Sequence, residues 1–322
     1  MDVFGLIGNP VGHSLSPPMH EAAYDEYDIE ARYVTFEPEP RDLDAAIAGA
    51  DALGMVGLNV TIPFKQSAFE FCTPDDLAAR IGAVNTLSFA QPADEDDAAD
   101  DRSDDGPAGD RSDDTSTDGS AATENAAGEK SAGGSPTGGS AADGTPPVYG
   151  CNTDAIGARR ALEEAGVTLE GQALIVGAGG AGRAIAVALA DAGMAVDVAN
   201  RTTETAREVA TVLPDGIEAS GYGLDSLPAL AADADVLVNA TSVGMETDES
   251  PVPAEALHAD LAVLDAVYRP IETRLLRDAA VAGAETVDGA AMLLHQGAAA
   301  FELWTGKPAP TAAMGAALRA RL

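Results

Sequence analysis

The sequence is poor in positive charge, and above all in lysine. Against 53 acidic residues it has only 18 lysines and arginines, a net charge of −35, and just three lysines (Lys65, Lys130 and Lys307). Such a chain repels phosphates, which argues against nucleic acids and anionic membranes as partners. In about 1 M salt the Debye length falls to about 3 Å, and the repulsion of an anionic substrate would be screened. The composition therefore predicts a protein from a high-salt cytoplasm, with an ordinary acidic bacterial protein as the alternative.

Cysteines, histidines and long apolar runs are also scarce. Cys72 and Cys151 are too few for a disulfide framework, and the four scattered histidines show no metal-ligand spacing. No apolar run reaches the ~20 residues that cross a bilayer, and the N-terminus lacks the basic region of a signal peptide. We therefore expect a cytoplasmic protein with no metal site and no membrane span. The sequence does not fix the oligomeric state, and a homodimer is compatible with it.

Residues 92–147 differ from the rest of the chain. They contain no Val, Ile, Leu, Met, Phe, Trp, Tyr or Cys, and they carry 15 acidic and three basic residues. Because such a segment cannot bury enough apolar surface to offset its chain entropy, we predict a disordered insertion. The flanking segments 83–89 and 148–150 resemble strands, so the insertion would extend a hairpin loop at a cost of about 2.3 kcal/mol in closure entropy. The alternative is a regulatory or interaction tail.

The remaining chain alternates between strand and helix patterns, which predicts an α/β fold with mostly parallel sheets and right-handed crossovers. We expect two domains, residues 1–152 and 153–288, followed by a helical segment 289–322 that returns to the first domain. The predicted strands are 2–7, 31–37, 57–61, 173–176, 195–199, 236–239, 263–266 and 285–287. The predicted helices are 16–27, 42–53, 154–165, 181–192, 204–213, one beginning at 274, and 290–304.

A glycine-rich turn marks a nucleotide site in the second domain. Gly177, Gly179 and Gly182 follow the apolar strand and precede a helix, in the spacing G-x-G-x-x-G. In this context the glycines permit a tight turn, close approach of a pyrophosphate and close helix packing, while the helix N-terminus faces the phosphate charge. The pattern predicts a Rossmann dinucleotide-binding domain. A glycine-rich turn kept for structural reasons alone is the alternative.

The end of the next strand indicates which dinucleotide binds. NAD enzymes carry a carboxylate there for the ribose 2′-hydroxyl, whereas this chain reads Asn200-Arg201-Thr202. A guanidinium grips a phosphate through two hydrogen bonds, so Arg201 favours NADP as the cofactor. The alternative is that Arg201 is an ordinary surface arginine.

Polar residues also cluster at strand ends in the first domain. Ser14 and Ser16 stand at the start of the first predicted helix, where two hydroxyls and free backbone N–H groups suit a carboxylate. A simple N-cap by Ser16 is the alternative. Thr61 and Lys65 follow another strand, at the sheet edge where α/β proteins bind ligands.

These segments together resemble the shikimate dehydrogenase family. The matching runs, in chain order, are GNPVGHSLSP, NVTIPFK, GAVNT, NTD, GAGGAG, NRT, NATSVGM, VYRP and GAAMLLHQGAAAFELWTG. They span essentially the whole chain outside the insertion, and their combination is specific although no single run is. The resemblance implies an N-terminal substrate-binding and catalytic domain and a C-terminal NADP-binding domain. It further implies reversible NADPH-dependent reduction of 3-dehydroshikimate to shikimate, a step in aromatic amino-acid biosynthesis.

The resemblance also implies roles for individual residues. Lys65 and Asp154 would form the catalytic pair. The implied substrate contacts are Ser14, Ser16, Thr61, Asn85, Asp154, Tyr268 and Gln296. The implied NADP contacts are Gly177, Ala178, Gly179, Gly180, Ala181, Asn200, Arg201, Thr202, Thr205, Ala266 and Gly289.

The chemistry of lysine supports the catalytic role independently. Hydride addition to a ketone leaves an alkoxide that needs a proton, and a positioned acid contributes about 10²–10⁴-fold to the rate. The ammonium of Lys65 can supply that proton, and the carboxylate of Asp154 would hold it in place. The alternative is a solvent-exposed lysine in the turn after Phe64.

Two positions depart from the family pattern. Ala155 stands where the family commonly has Gly, and Thr205 stands where some NADP-preferring members have a second arginine, with Arg207 nearby. The second departure leaves dual use of NAD and NADP open. The alternatives in function are a quinate/shikimate dehydrogenase that uses NAD or both cofactors, and a non-catalytic dinucleotide-binding sensor. The presence of both Lys65 and Asp154 argues against the sensor.

Overall fold

The computed structural model describes residues 1–89 and 148–322, so the disorder predicted for 92–147 lies outside the described residues. The described chain forms two six-stranded sheets flanked by helices, which confirms the α/β class. No helix within these two ranges combines the length and the apolar character that crossing a membrane requires.

The first sheet contains the strands nearest the N-terminus, in the order β2-β1-β3-β5-β6-β4. Its strands are β1 (Asp2–Ile7), β2 (Ala31–Phe36), β3 (Gly57–Val60), β4 (Thr73–Pro74), β5 (Thr86–Ser88) and β6 (Tyr149–Cys151). The helices of this part are α1 (Ser16–Glu26), α2 (Leu43–Ala52), α3 (Asp76–Ile81) and α4 (Thr153–Glu164). Strands β1, β2 and β3 run parallel. Strands β5 and β6 pair antiparallel on either side of the insertion, which confirms the predicted hairpin.

The second sheet is entirely parallel, in the order β12-β11-β10-β7-β8-β9. Its strands are β7 (Gln172–Val176), β8 (Ala195–Ala199), β9 (Ala219–Tyr222), β10 (Val236–Asn239), β11 (Ala262–Asp265) and β12 (Glu285–Val287). The helices that follow are α5 (Gly180–Asp191), α6 (Thr203–Thr211), α7 (Leu227–Ala232), α8 (Arg274–Ala282), α9 (Gly289–Thr305) and α10 (Thr311–Arg319). The chain reverses its direction of winding between β7 and β10, and such a switch point opens a ligand crevice at the carboxyl ends of the strands.

Most predicted elements are confirmed within one or two residues, but short ones were missed. Strand β4 has only two residues and α3 only six, too few to show a period. Strand β9 reads Ala-Ser-Gly-Tyr, which resembles a loop, and its Gly221 is needed because a Cβ there would clash with the backbone of Arg207 in α6. Helix α7 was also missed, and α10 was predicted only as an undivided part of the helical segment 289–322.

The C-terminal helices pack against elements of the part of the chain that forms the first sheet. Helix α9 lies against α4 and α1, and α10 lies against α1. The indole Nε1 of Trp304 donates a hydrogen bond to the carbonyl of Leu87 in β5 at 3.0 Å, and Gly57 has no room for a Cβ beside that indole. The domain bounds drawn from the sequence remain a prediction.

Candidate active site

A lysine–carboxylate pair occupies the carboxyl edge of the first sheet. Lys65 lies beyond β3, and Asp154 lies in the first turn of α4, where the side chain of Asn152 accepts from the Asp154 N–H at 3.1 Å. The Lys65 Nζ donates to Asp154 Oδ2 at 2.6 Å, with side chains only 15% and 2% exposed. A freely solvated lysine is therefore excluded. A buried carboxylate this close holds the ammonium in one position.

The glycine-rich turn packs directly against this pair. A Cβ built on Gly180 would lie 3.3 Å from both Cβ and Cδ of Lys65. A side chain at this position would press on the lysine stem, and glycine lets the start of α5 lie close to it. The nucleotide motif and the lysine, far apart in the sequence, thus meet at one place.

The residues at the other side of Asp154 form a polar cluster around Asn85. The Asn85 Oδ1 accepts from the Thr153 backbone N–H at 2.7 Å and from the Thr86 hydroxyl at 3.0 Å. Its Nδ2 donates to Gln296 Oε1 at 3.4 Å. The structure therefore brings together three of the predicted substrate contacts, Asn85, Gln296 and Asp154.

The two serines lie side by side at the start of α1. The Ser14 hydroxyl donates to the Ser16 hydroxyl at 3.2 Å. Leu15, not Ser16, occupies the N-cap position, and no side chain caps the helix. The N-cap alternative for Ser16 is therefore wrong, because that residue is already the first residue of the helix. The free backbone N–H groups expected here are absent, because Pro17 and Pro18 have no N–H and the Ser16 N–H donates to the Ser14 hydroxyl at 3.2 Å. An anion would therefore be bound by the two hydroxyls.

Two further predicted substrate contacts lie near this edge without joining the hydrogen-bonded cluster. Thr61 directly follows β3, where its N–H donates to the Ile7 carbonyl at 2.9 Å and its methyl leaves no room for a Cβ on Gly8. Tyr268 packs against the apolar cluster that includes Leu293, and burial raises its pKa. Within the described ranges, no hydrogen bond links Tyr268 to Asn85 or Lys65.

The glycine-rich turn has the features that a dinucleotide needs. Gly177 has φ +108°, and a Cβ there would lie 2.9 Å from the Thr241 methyl and 3.0 Å from the Ala240 carbonyl oxygen. Gly182 has no room for a Cβ against the Gly177 carbonyl. Gly179, the N-cap of α5, has open space in front of it, and no side chain caps the helix. An uncapped helix N-terminus behind an open glycine fits a pyrophosphate.

The predicted cofactor contacts at the end of β8 surround an exposed arginine. Arg201 is exposed, and Asn200 Nδ2 donates to the Thr202 carbonyl at 3.1 Å. Thr205 lies inside α6 and is half-buried. Arg207 forms an ion pair with Glu204 at 3.5 Å.

The remaining cofactor contacts include the other residues of the turn and a second loop. Ala178 is buried, and Ala181 is the second residue of α5. A Cβ on Gly289 would lie 2.7 Å from the Ala266 carbonyl oxygen, so these two predicted contacts are neighbours.

A buried network at the ends of β10 and β11 was missed by sequence reasoning. Asp265 is fully buried and accepts from Asn239 Nδ2 at 2.9 Å, from Val267 N–H at 3.0 Å and from the Thr273 hydroxyl at 2.6 Å. Burial raises the pKa of Asp265, and these hydrogen bonds oppose the shift. Asn239 in turn accepts from the Thr241 hydroxyl at 2.7 Å, which fixes the loop that contacts the glycine-rich turn. The signals in the sequence were an Asp at a strand end and the run NATSVGM, which contains Asn239 and Thr241 but had no assigned role.

In residues 1–89 and 148–322, no group of three or more His, Cys, Asp or Glu side chains is arranged to hold a metal ion.

Fold and site together define a class: α/β proteins with two sheets, in which a dinucleotide-type glycine turn lies against a buried lysine–carboxylate pair. Within that class, the chain belongs to the shikimate dehydrogenase family. Residues 6–87 match the shikimate dehydrogenase substrate binding domain, 159–265 match shikimate / quinate 5-dehydrogenase, and 289–319 match the shikimate 5′-dehydrogenase C-terminal domain.

Individual relatives agree with this assignment. The chain is 54% identical to shikimate dehydrogenase (NADP(+)) of Haloarcula marismortui and 52% identical to that of Natronomonas pharaonis, and each match covers 100% of both chains. Both relatives are haloarchaeal, in agreement with the high-salt prediction.

Solved structures of related dehydrogenases are also similar to this chain over its full length. Shikimate 5-dehydrogenase of Thermus thermophilus, in complex with NADP(H) and shikimate, is 34% identical with a TM-score of 0.77, covering 100% of both chains. Quinate dehydrogenase of Corynebacterium glutamicum, in complex with NAD, is 29% identical with a TM-score of 0.76, covering 99% of both chains.

Proposed function

We propose that this protein catalyses the reversible NADPH-dependent reduction of 3-dehydroshikimate to shikimate. The observation that carries the proposal is the buried Lys65–Asp154 pair packed against Gly180 of the nucleotide turn. Its full-length relatives named shikimate dehydrogenase (NADP(+)) support the substrate and the cofactor.

The chain's own residues supply binding and proton transfer. NADPH, when bound, supplies the hydride. The Lys65 Nζ donates a proton to the carbonyl oxygen of the substrate, and in the reverse direction it accepts the proton of the hydroxyl. Asp154, 2.6 Å away, keeps Nζ in place during the forward and the reverse reaction. Because the Lys65 side chain is 15% exposed, the amine can exchange its proton with water between turnovers.

Substrate and cofactor are held by separate groups. Ser14 and Ser16 bind the substrate carboxylate, and Asn85, Thr61 and Gln296 contact its hydroxyls. On the other side, the uncapped start of α5 faces the pyrophosphate, and the exposed Arg201 binds the 2′-phosphate of NADP.

A quinate dehydrogenase using NAD is the second candidate. Two observations favour it: the similarity to the Corynebacterium quinate dehydrogenase and the absence of a second arginine at Thr205. Measuring kcat/KM for shikimate and quinate, each with NADP and NAD, across a KCl series decides between the two. We expect the highest value for shikimate with NADP in molar KCl. A preference for quinate with NAD would overturn the proposal, and activity that peaks in dilute buffer would overturn the high-salt prediction.

We further propose that residues 1–152 form the substrate domain, 153–288 the NADP domain, and 289–322 a helical segment returning to the first. We also propose a cytoplasmic location and a homodimer. Light scattering of the purified protein in molar KCl tests the dimer, and a monomeric mass would contradict it.

A further inference from the structure

One backbone N–H fixes the direction of the hydrogen bonds around Asn85. The Thr153 N–H donates to Asn85 Oδ1 at 2.7 Å, and a backbone N–H can only donate. The carbonyl oxygen of the Asn85 amide therefore points towards α4. Its NH₂ group must point the other way, towards Gln296 and the proposed substrate.

The hydrogen bonds of three more side chains also have a defined donor and acceptor. Thr86 Oγ1 donates to Asn85 Oδ1 at 3.0 Å, so its lone pair is free to accept from Asn59 Nδ2, also at 3.0 Å. Asn59 then turns its Oδ1 away, and the Tyr33 hydroxyl donates to that oxygen at 2.7 Å. Reversing Asn85 would turn its NH₂ group against the Thr153 N–H, two donors face to face. Reversing Asn59 would turn its Oδ1 against the Asn85 backbone carbonyl, to which Asn59 Nδ2 now donates at 3.4 Å, two acceptors face to face.

The network is buried, and its Tyr33 ring packs against a second aromatic ring. Thr86 is fully buried, and Asn85 and Tyr33 are each 3% exposed. The ring of Tyr33 stacks on the ring of His20, with centroids 4.5 Å apart and planes 4° from parallel. A buried network with every member satisfied adopts one arrangement, because an unpaired group in a low dielectric is costly. It therefore specifies the amide orientation of Asn85 before a ligand arrives.

We propose that Tyr33, Asn59 and Thr86 are positioning residues for the substrate site. They hold Asn85 so that the site presents a hydrogen-bond donor, which selects a ring hydroxyl whose oxygen can accept at that point. The inference rests on the proposed function only for the identity of the ligand, shikimate.

A double-mutant cycle tests the proposal. Thr86→Val keeps the shape of the side chain and removes the hydroxyl, whereas Asn85→Ala removes the amide itself. We expect Thr86→Val to raise KM for shikimate about tenfold, the value of one buried hydrogen bond, while kcat and KM for NADP change less than about twofold. Tyr33→Phe should act in the same direction with a smaller effect. Because Thr86 acts through Asn85, the double variant should bind shikimate no worse than Asn85→Ala alone.

Thr305→Val is the matched control, since its hydroxyl donates to the Phe301 carbonyl within α9 at 2.7 Å, away from this network, and it should leave all constants unchanged. Multiplicative effects in the double variant, or equal losses for shikimate and NADP, would overturn the proposal. If Thr86→Val does not fold, the cycle of Tyr33→Phe with Asn85→Ala gives the same test. If the wild type turns over quinate instead of shikimate, the proposed function fails, while the same cycle measured on quinate still decides the role of Thr86.

Discussion

Replacing Lys65 by methionine separates proton transfer from binding. Methionine keeps an unbranched apolar stem against Gly180 and removes only the ammonium. If Lys65 is the acid and base of the reaction, kcat should fall by about 10²–10⁴-fold, which corresponds to about 2.7–5.4 kcal/mol of transition-state stabilisation. Shikimate should still bind, because the serine hydroxyls and Asn85 are unchanged.

The same substitution should also cost stability, for a separate reason. It leaves the Asp154 carboxylate, only 2% exposed, without its partner 2.6 Å away. Breaking a buried pair in this way costs about 3–5 kcal/mol. The Lys65 side chain keeps some contact with water, so we expect the lower end of that range, about 3 kcal/mol. Adding Asp154→Asn removes the stranded charge, so the double variant should recover most of this stability while its kcat remains low.

Three measurements check this reasoning: steady-state kinetics with saturating NADP, calorimetric binding of shikimate, and urea unfolding in molar KCl. Lys307→Met is the control, because Lys307 is exposed and its ammonium lies over the Tyr27 ring at 5.4 Å, away from the site. If the Lys65 variant kept kcat within tenfold of the wild type, Lys65 would be a binding residue. If the double variant regained kcat, the loss would come from the stranded charge and not from the missing acid.

Two further substitutions and one deletion test other parts of the molecule. Arg201→Ser should raise KM for NADP at least about tenfold and leave KM for NAD nearly unchanged, since it removes a charge-assisted hydrogen-bonding group; equal changes would refute its role. Burial lowers the pKa of His20 to about 3, so the unfolded chain takes up a proton that the folded one does not. Stability should therefore fall as pH drops below about 6.5, by about 2 kcal/mol at pH 5, and His20→Phe should flatten this slope in urea titrations. Deleting residues 94–144 should leave kcat nearly unchanged, and a large loss would give the insertion a role in catalysis.

The alternation of elements could be predicted because each long element shows its own period. The central strands β7 and β10 of the second sheet are buried and read as apolar runs, and α9 ends at Gly306, which has φ +64°. The Lys65–Asp154 pair was predicted from the family's motifs and from the need for a proton donor. The structure brings the two side chains together, although they are 89 positions apart in the sequence and the insertion lies between them.

The rest of the site depends on tertiary contacts that no local pattern encodes. The sequence places Thr86 beside Asn85, but only the fold brings Thr153 close enough to set the direction of both side chains. Asp265 likewise gains its role from the Thr273 hydroxyl, eight residues further along the chain. Ser16 was open to interpretation as a cap because the first residue of a helix and its N-cap differ by one position.

The acidic surface is compatible with the anionic ligands of the proposed reaction, because the surface repels them at long range whereas the site binds them by hydrogen bonds at contact distance. In about 1 M salt, charges interact over about 3 Å, so the net charge of −35 no longer repels a carboxylate or a phosphate at long range. Hydrogen bonds at contact distance survive this screening, and the proposed site consists mainly of groups that form them: the hydroxyls of Ser14 and Ser16, the uncapped N-terminus of α5 and the amide of Asn85. Its two cations, Lys65 and Arg201, would likewise act at contact. A site of short-range donors loses little in salt, while the surface around it stops repelling its ligands. The composition that we expect to weaken binding in dilute buffer therefore suits the protein to molar salt.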